Sequence, residues 1–99
     1  MDYKVTSTDG GLKFELNGDL TFETHRDFKK IIGLINDDQK NIEISLAGLT
    51  HIDSAGAGML MLAKDKAKQS GGLVNLTDIP ENLQSFVSLL QDQKLQPVH

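Results

Sequence analysis

Between residues 41 and 46 the chain alternates, with apolar Ile42, Ile44 and Leu46 separated by polar Glu43 and Ser45. A period of two predicts a half-buried strand, placed here over residues 40–46. Further on, Met59-Leu60-Met61-Leu62-Ala63 is a run of good helix formers, which predicts a helix over 54–69 with 47–52 as the loop before it. Ser70-Gly71-Gly72 stops that helix, since glycine readily takes the left-handed cap conformation. Upstream, Tyr3 to Thr6 and the alternating Leu12, Phe14 and Leu16 predict strands over 3–6 and 11–16. The Asp9-Gly10 pair inside the connecting segment 7–11 marks a hairpin turn. Asn17-Gly18-Asp19-Leu20-Thr21 breaks the second strand.

Thr21 is placed to cap a helix that begins at Phe22, with Glu23 near its positive end. Phe28, Ile31, Ile32 and Ile35 form an i, i+3, i+4, i+7 stripe that carries this helix to about Asn36. Gly33 weakens it by about 1 kcal/mol relative to alanine, and Asn36-Asp37-Asp38 ends it in a polar turn. Leu73-Val74-Asn75-Leu76 is short and almost continuously apolar, the pattern of an interior strand. A last helix starts around Asp78-Ile79-Pro80-Glu81, where Asp78 and Glu81 have capping-box spacing and proline suits a first turn. Leu83, Phe86, Val87 and Leu90 are its buried stripe. Beyond Gln91 the pattern fades, and residues 96–99 read as a frayed tail or a short edge strand.

The resulting order, β-β-α-β-α-β-α, predicts a mixed α/β sheet of four or five strands with about three helices packed mainly on one face. No repeat, linker or low-complexity segment interrupts it, so residues 1–99 read as one domain. Fourteen acidic against ten basic residues give a net charge of −4, which argues against nucleic acid as the main partner. The densest basic group, Lys64, Lys66 and Lys68, spreads around its helix and reads as a solvated surface. With no cysteine, disulfides, thiolate metal sites and a cysteine nucleophile are excluded. No apolar run reaches the ~18 residues of a membrane span. The first residues show neither a basic nor an apolar leader segment, so a cytoplasmic location is expected.

Catalytic motifs are lacking. Ser54 has no glycine two residues before it, as a nucleophile elbow requires. His25, His51 and His99 sit in no recognisable base motif, and the strand–turn geometry directs His51 away from the helix start. Gly56-Ala57-Gly58 opens like a dinucleotide fingerprint, but methionine occupies the third glycine position. Asp37-Asp38 reads as an exposed turn, not a metal site. No enzyme, metal or cofactor is expected.

What remains is Asp53-Ser54-Ala55-Gly56-Ala57-Gly58, where a strand feeds a helix. Asp53 or Ser54 caps that helix, beside unpaired N–H groups and a positive dipole end. One reading stops at capping and tight packing. The other takes the small residues as a surface that a partner's backbone approaches, with a serine able to carry about −1.5 to −2 charge units as a phosphate. A helix N-terminus tolerates that charge, whereas a docked partner meets bulk, charge and repulsion from its own carboxylates.

The segment Leu46-Ala-Gly-Leu-Thr-His-Ile-Asp-Ser-Ala-Gly-Ala-Gly resembles the signature of STAS domains, the family of anti-sigma factor antagonists. Leu16-Asn-Gly-Asp-Leu-Thr-Phe-Glu-Thr resembles the family's exit from its second strand. The resemblance implies that Ser54 is a phosphorylation site. It implies a cycle in which the unphosphorylated protein binds an anti-sigma factor, itself a serine kinase, and a serine phosphatase restores the complex after phosphorylation. Its matching partner surface comprises Asp19, Leu20 and Thr21 with Asp53, Ser54, Ala55, Gly56, Ala57 and Gly58. Ala55 and Ala57 depart from the family pattern. The first removes a second acceptor, and the second leaves partner identity open. The alternative is an accessory subunit of a transport ATPase or other signalling assembly, with Ser54 structural. A weak homodimer is compatible with either reading; membrane insertion is not expected.

Overall fold

In the computed structural model, residues 1–35 and 41–92 are described, with side chains as far as 88. The chain opens with the hairpin, β1 (Asp2–Thr8) and β2 (Gly11–Leu20), paired antiparallel so that Thr8 faces Gly11. The turn is therefore tighter than the predicted 7–11 segment: Asp9 and Gly10 alone close it, with Gly10 at φ +78°. A 3₁₀ turn (Phe22–Thr24) leads into α1 (His25–Leu34), followed by β3 (Asn41–Ile52) and α2 (Ser54–Gln69). Then come β4 (Leu73–Thr77), a second 3₁₀ turn (Glu81–Leu83) and α3 (Gln84–Asp92).

The four strands lie in the order β1-β2-β3-β4, with β2, β3 and β4 parallel. Helical crossovers make the parallel pairs possible. Register explains the layering. Phe14 lies opposite Ile44, which lies opposite Leu76, so these three side chains share one face. They are buried there with Leu16, Ile42 and Leu46 under Phe28 and Ile31 of α1, Leu60 and Ala63 of α2, and Val87 of α3. The other face is polar: Lys13 and Glu43 form an ion pair at 3.7 Å, and Thr77 Oγ1 donates to Glu43 Oε2 at 2.9 Å. The mixed sheet with helices on one face is thus the architecture expected.

Several boundaries and contacts differ from expectation. Asn17-Gly18-Asp19 does not end β2, nor is 47–52 a loop. Both strands run on in parallel to Leu20 and Ile52, because register shifts at Glu15/Asn17 and Gly18/Asp19 absorb the irregular residues. Leu73–Leu76 is an edge strand among the described residues, not an interior one. Leu73 turns to the polar face and is 64% exposed, so the apolar run overstated burial. Asp78 does not cap the last helix. It has φ +52°, and its Oδ2 accepts a hydrogen bond from the buried Ser45 hydroxyl at 3.0 Å. Pro80 holds the cap position of the 3₁₀ turn instead.

Nor is Lys66 simply solvated. Its Nζ donates to the Ile32 carbonyl at 2.8 Å, a second donor beside the Ile35 N–H at 3.1 Å, at the end of α1 where a cation is favourable. Lys40, Asn36-Asp37-Asp38, the side chain of Leu90 and the 96–99 tail lie outside the described residues.

Candidate functional site

Strand β3 ends at the buried Ile52, and the chain turns into α2 through Asp53. Sequence alone left the cap to either Asp53 or Ser54; it is Asp53. Its Oδ1 accepts the Gly56 N–H at 2.7 Å, and its carbonyl accepts the Ala57 N–H at 2.9 Å. Its own N–H donates to the Leu20 carbonyl at 3.3 Å. The second carboxylate oxygen, Oδ2, accepts the Phe22 N–H at 3.2 Å. One aspartate therefore caps α2 and also the 3₁₀ turn that starts α1, so the two loops are locked to each other. The Gly56 N–H, with those of Phe22 and Ala55, holds the Asp53 carboxyl below its ordinary value of 3.8 despite an opposing effect of partial burial.

Ser54 is the first helical residue and is exposed. Its hydroxyl makes no hydrogen bond among the described residues. The small residues that follow divide into two kinds. Gly56 and Ala57 are buried, and a Cβ at Gly56 would collide with the Leu20 carbonyl. Gly56 is thus required for α2 to sit on the end of β2. Ala55 is half-buried and Gly58 exposed, and a Cβ at Gly58 would meet nothing within 4 Å.

The structure brings the earlier segment to the same place. Leu20 pairs with Ile52, and Asp19 with His51, across β2 and β3. Asp19 Oδ1 accepts the Thr50 hydroxyl at 2.8 Å. Thr21 occupies the cap position of the 3₁₀ turn in extended conformation, and its N–H donates to Thr24 Oγ1 at 3.0 Å. Thr24 Oγ1 also lies 3.0 Å from the Asp19 carbonyl, which fixes the turn from the other side. Of the expected partner-facing residues, Asp19, Ser54 and Gly58 are exposed, whereas Leu20, Gly56 and Ala57 are inside and support the surface from beneath.

Two exposed apolar residues at this site carried no weight in the sequence. Phe22 is 66% exposed, and its ring stacks on His25 with centroids 4.9 Å apart. His25 Nδ1 sits 2.6 Å from the Phe22 carbonyl, so the Nδ1–H tautomer donates there and holds the stack. Leu62, two turns along α2 from Ser54, is 57% exposed. An aromatic at a helix start followed by histidine three residues on was the available signal for the first. Among the described residues, no three His, Asp or Glu side chains converge on a point that could hold a metal ion. No described helix is long and apolar enough to cross a membrane.

With this geometry in view, comparison with known proteins gives a consistent result. The family model described as "Mlab, STAS domain" matches residues 4–97. No curated protein matches the chain significantly. An anti-sigma factor antagonist from Mycobacterium paratuberculosis superimposes with a TM-score of 0.78 at 18% identity, covering 99% of this chain and 84% of that one. The anti-sigma factor antagonist SpoIIAA in its unphosphorylated form gives 0.72 at 14% identity, covering 89% and 83%. A sulfate transporter family protein from Wolinella succinogenes gives 0.70 at 18% identity, covering 85% and 70%. At such identities the likeness speaks for the fold alone, while the family model covers nearly the whole sequence. The chain belongs to the STAS domain family.

Proposed function

We propose that this protein is a phosphorylation-controlled anti-sigma factor antagonist, which binds an anti-sigma factor/serine kinase while Ser54 is unmodified and releases it once Ser54 carries a phosphate. The observation that supports this most is the division of work at the start of α2. Asp53 supplies the cap, so the exposed Ser54 hydroxyl has no structural duty there. A phosphate at the first position of α2 meets the positive end of the helix and leaves the fold intact. It adds bulk and about −1.5 to −2 charge units to the surface formed by Asp19, Thr21, Asp53, Ala55 and Gly58. A serine phosphatase completes the cycle, and the cytoplasm is its setting. The likeness to SpoIIAA and to the mycobacterial antagonist favours this class of partner.

A second reading has its own support in the likeness to the sulfate transporter family protein: an accessory domain of a transport assembly, in which Ser54 carries no phosphate. Binding assays with the copurifying partner separate the two. The switch requires that Ser54→Ala bind as the unmodified protein does and that Ser54→Asp bind about tenfold or more weakly, a difference of about 1.4 kcal/mol. Equal binding by both variants contradicts the switch and leaves the accessory role.

A further inference from the structure

Strand β1 bounds the sheet on one side, with no strand beyond it among the described residues. Such an edge offers a row of unpaired N–H and C=O groups, which proteins commonly blunt with proline, a bulge or a very short strand. β1 has none of these. It runs for seven residues in unbroken register with β2, whereas β4 on the opposite side has five. Which groups point outward follows from the turn. Only Asp9 and Gly10 separate Thr8 from Gly11, so those two form a hydrogen-bonded pair and the pairs alternate from there. Thr6, Lys4 and Asp2 direct their backbone groups at β2, while Tyr3, Val5 and Ser7 turn theirs outward.

The side chains divide along the same strand. Tyr3 and Val5 lie opposite Leu16 and Phe14, on the face the helices cover, yet Val5 is 43% exposed. Asp2 and Lys4 lie on the open polar face, where Lys4 stands opposite Glu15.

We infer that β1 pairs antiparallel with β1 of a second copy of this chain, about a two-fold axis at Tyr3, joining the two sheets into one. Charge selects both the occupant and the register. Lys4 is the type of residue that guards an edge when nothing opposes it. In a strand turned end for end about Tyr3, Asp2 of each copy faces Lys4 of the other, and an ion pair forms on either side of the axis. On the helix face Tyr3 meets Tyr3 of the second copy. Each Val5 there meets Met1, which already packs against the core. The Tyr3 N–H donates to the Tyr3 carbonyl and the Val5 N–H to the Met1 carbonyl, each bond made in both directions. An axis at Val5 aligns more of the strand, but it sets Lys4 against Thr6 and Tyr3 against Ser7 and brings the two lysines together diagonally. Of the other charges beside the Tyr3 axis, Glu15 faces Lys4 and Asp27 holds the Met1 ammonium at 3.2 Å, so both are compensated. The contact closes on itself as a two-fold dimer requires. It is small, and the chain carries a net charge of −4, so the association is weak and concentration-dependent.

Sedimentation velocity of the full chain, from about 10 μM to about 1 mM, covers the range of weak association. The unmodified protein is expected to pass reversibly from monomer to dimer across it. Asp2→Lys and Lys4→Asp each oppose like charges on both sides of the axis and should weaken the dimer about tenfold or more. The double variant Asp2→Lys/Lys4→Asp exchanges the signs and should recover most of the association, less what a carboxylate opposite Glu15 costs. An equimolar mixture of the two single variants should form the mixed dimer. Val5→Pro removes an outward N–H and no bond to β2, so it should abolish the dimer. Ser7→Pro removes an outward N–H beyond the overlap and should leave the dimer intact. Thermal melting checks that the proline variants are folded; if they are not, the charge exchange decides. A monomer at every concentration, indifference to both single reversals, no recovery in the double variant, or a dimer that survives Val5→Pro or is lost in folded Ser7→Pro would each overturn the inference.

Discussion

The Asp53 carboxylate accepts the Phe22 N–H at 3.2 Å, joining positions 31 residues apart through the same side chain that caps α2 at Gly56. This single residue sets the relative position of the exposed ring and the exposed serine. Its role is architectural, and it separates the work of holding the surface from the work of changing it.

Removing the carboxylate therefore affects both loops. Asp53→Ala is expected to lower Tm by roughly 4–8 °C, the shift that loss of an ordinary N-cap produces in a domain this small. Asp53→Asn retains an acceptor for Gly56 and loses less. In amide hydrogen exchange, protection at Phe22 and Gly56 should fall together in Asp53→Ala. Loss at Gly56 alone would contradict the shared cap.

The same contacts give acid sensitivity a definite sign. Asp53 is held below 3.8, chiefly by the Gly56 N–H, so its ionised form is favoured in the folded state. Its contribution to stability is fully present above the unfolded-state value and is lost as pH falls through the lower folded-state value. Denaturant melts from pH 6 down to about pH 2 should show part of the acid destabilisation disappearing in Asp53→Asn. A variant with the same acid profile as the unmodified protein would refute that assignment.

The glycines make opposite predictions. Gly56→Ala drives a methyl into the Leu20 carbonyl and should cost about 1–3 kcal/mol as overpacking. Gly33→Ala meets nothing and should add up to about 1 kcal/mol. Chemical denaturation measures both, and destabilisation by Gly33→Ala would show that its glycine is needed after all.

Much of this was legible in the sequence because periodicity reports burial directly. The alternation Ile42, Ile44, Leu46 and the stripe Phe28, Ile31, Ile32, Ile35 mark the core: six of these seven are fully buried, and Ile32 is half-buried against them. Leu73 misled, because a four-residue stretch with three apolar positions reads alike whether a strand has one neighbour or two. The extension of β2 and β3 to Leu20 and Ile52 was hidden by Asn17 and Gly18. These are loop-forming residues locally, and parallel pairing over a bulge outweighs that tendency. Asp78 had perfect capping spacing to Glu81, but only the fold brings Ser45, 33 residues away, to compete for its carboxylate. At the site, the strand–turn–helix at Asp53-Ser54 was readable from local chemistry. The approach of Phe22 was not, because it depends on a hydrogen bond between loops distant in sequence.

The central claim is that Ser54 is free to be modified while Asp53 holds the helix. Intact-mass and peptide-mapping analysis of protein from its native host, before and after phosphatase treatment, tests it most directly. The account predicts a species heavier by one phosphate that maps to Ser54 and disappears on treatment. A single unmodified mass under every growth condition in which the partner complex dissociates, or a phosphate mapped to another residue, would contradict it.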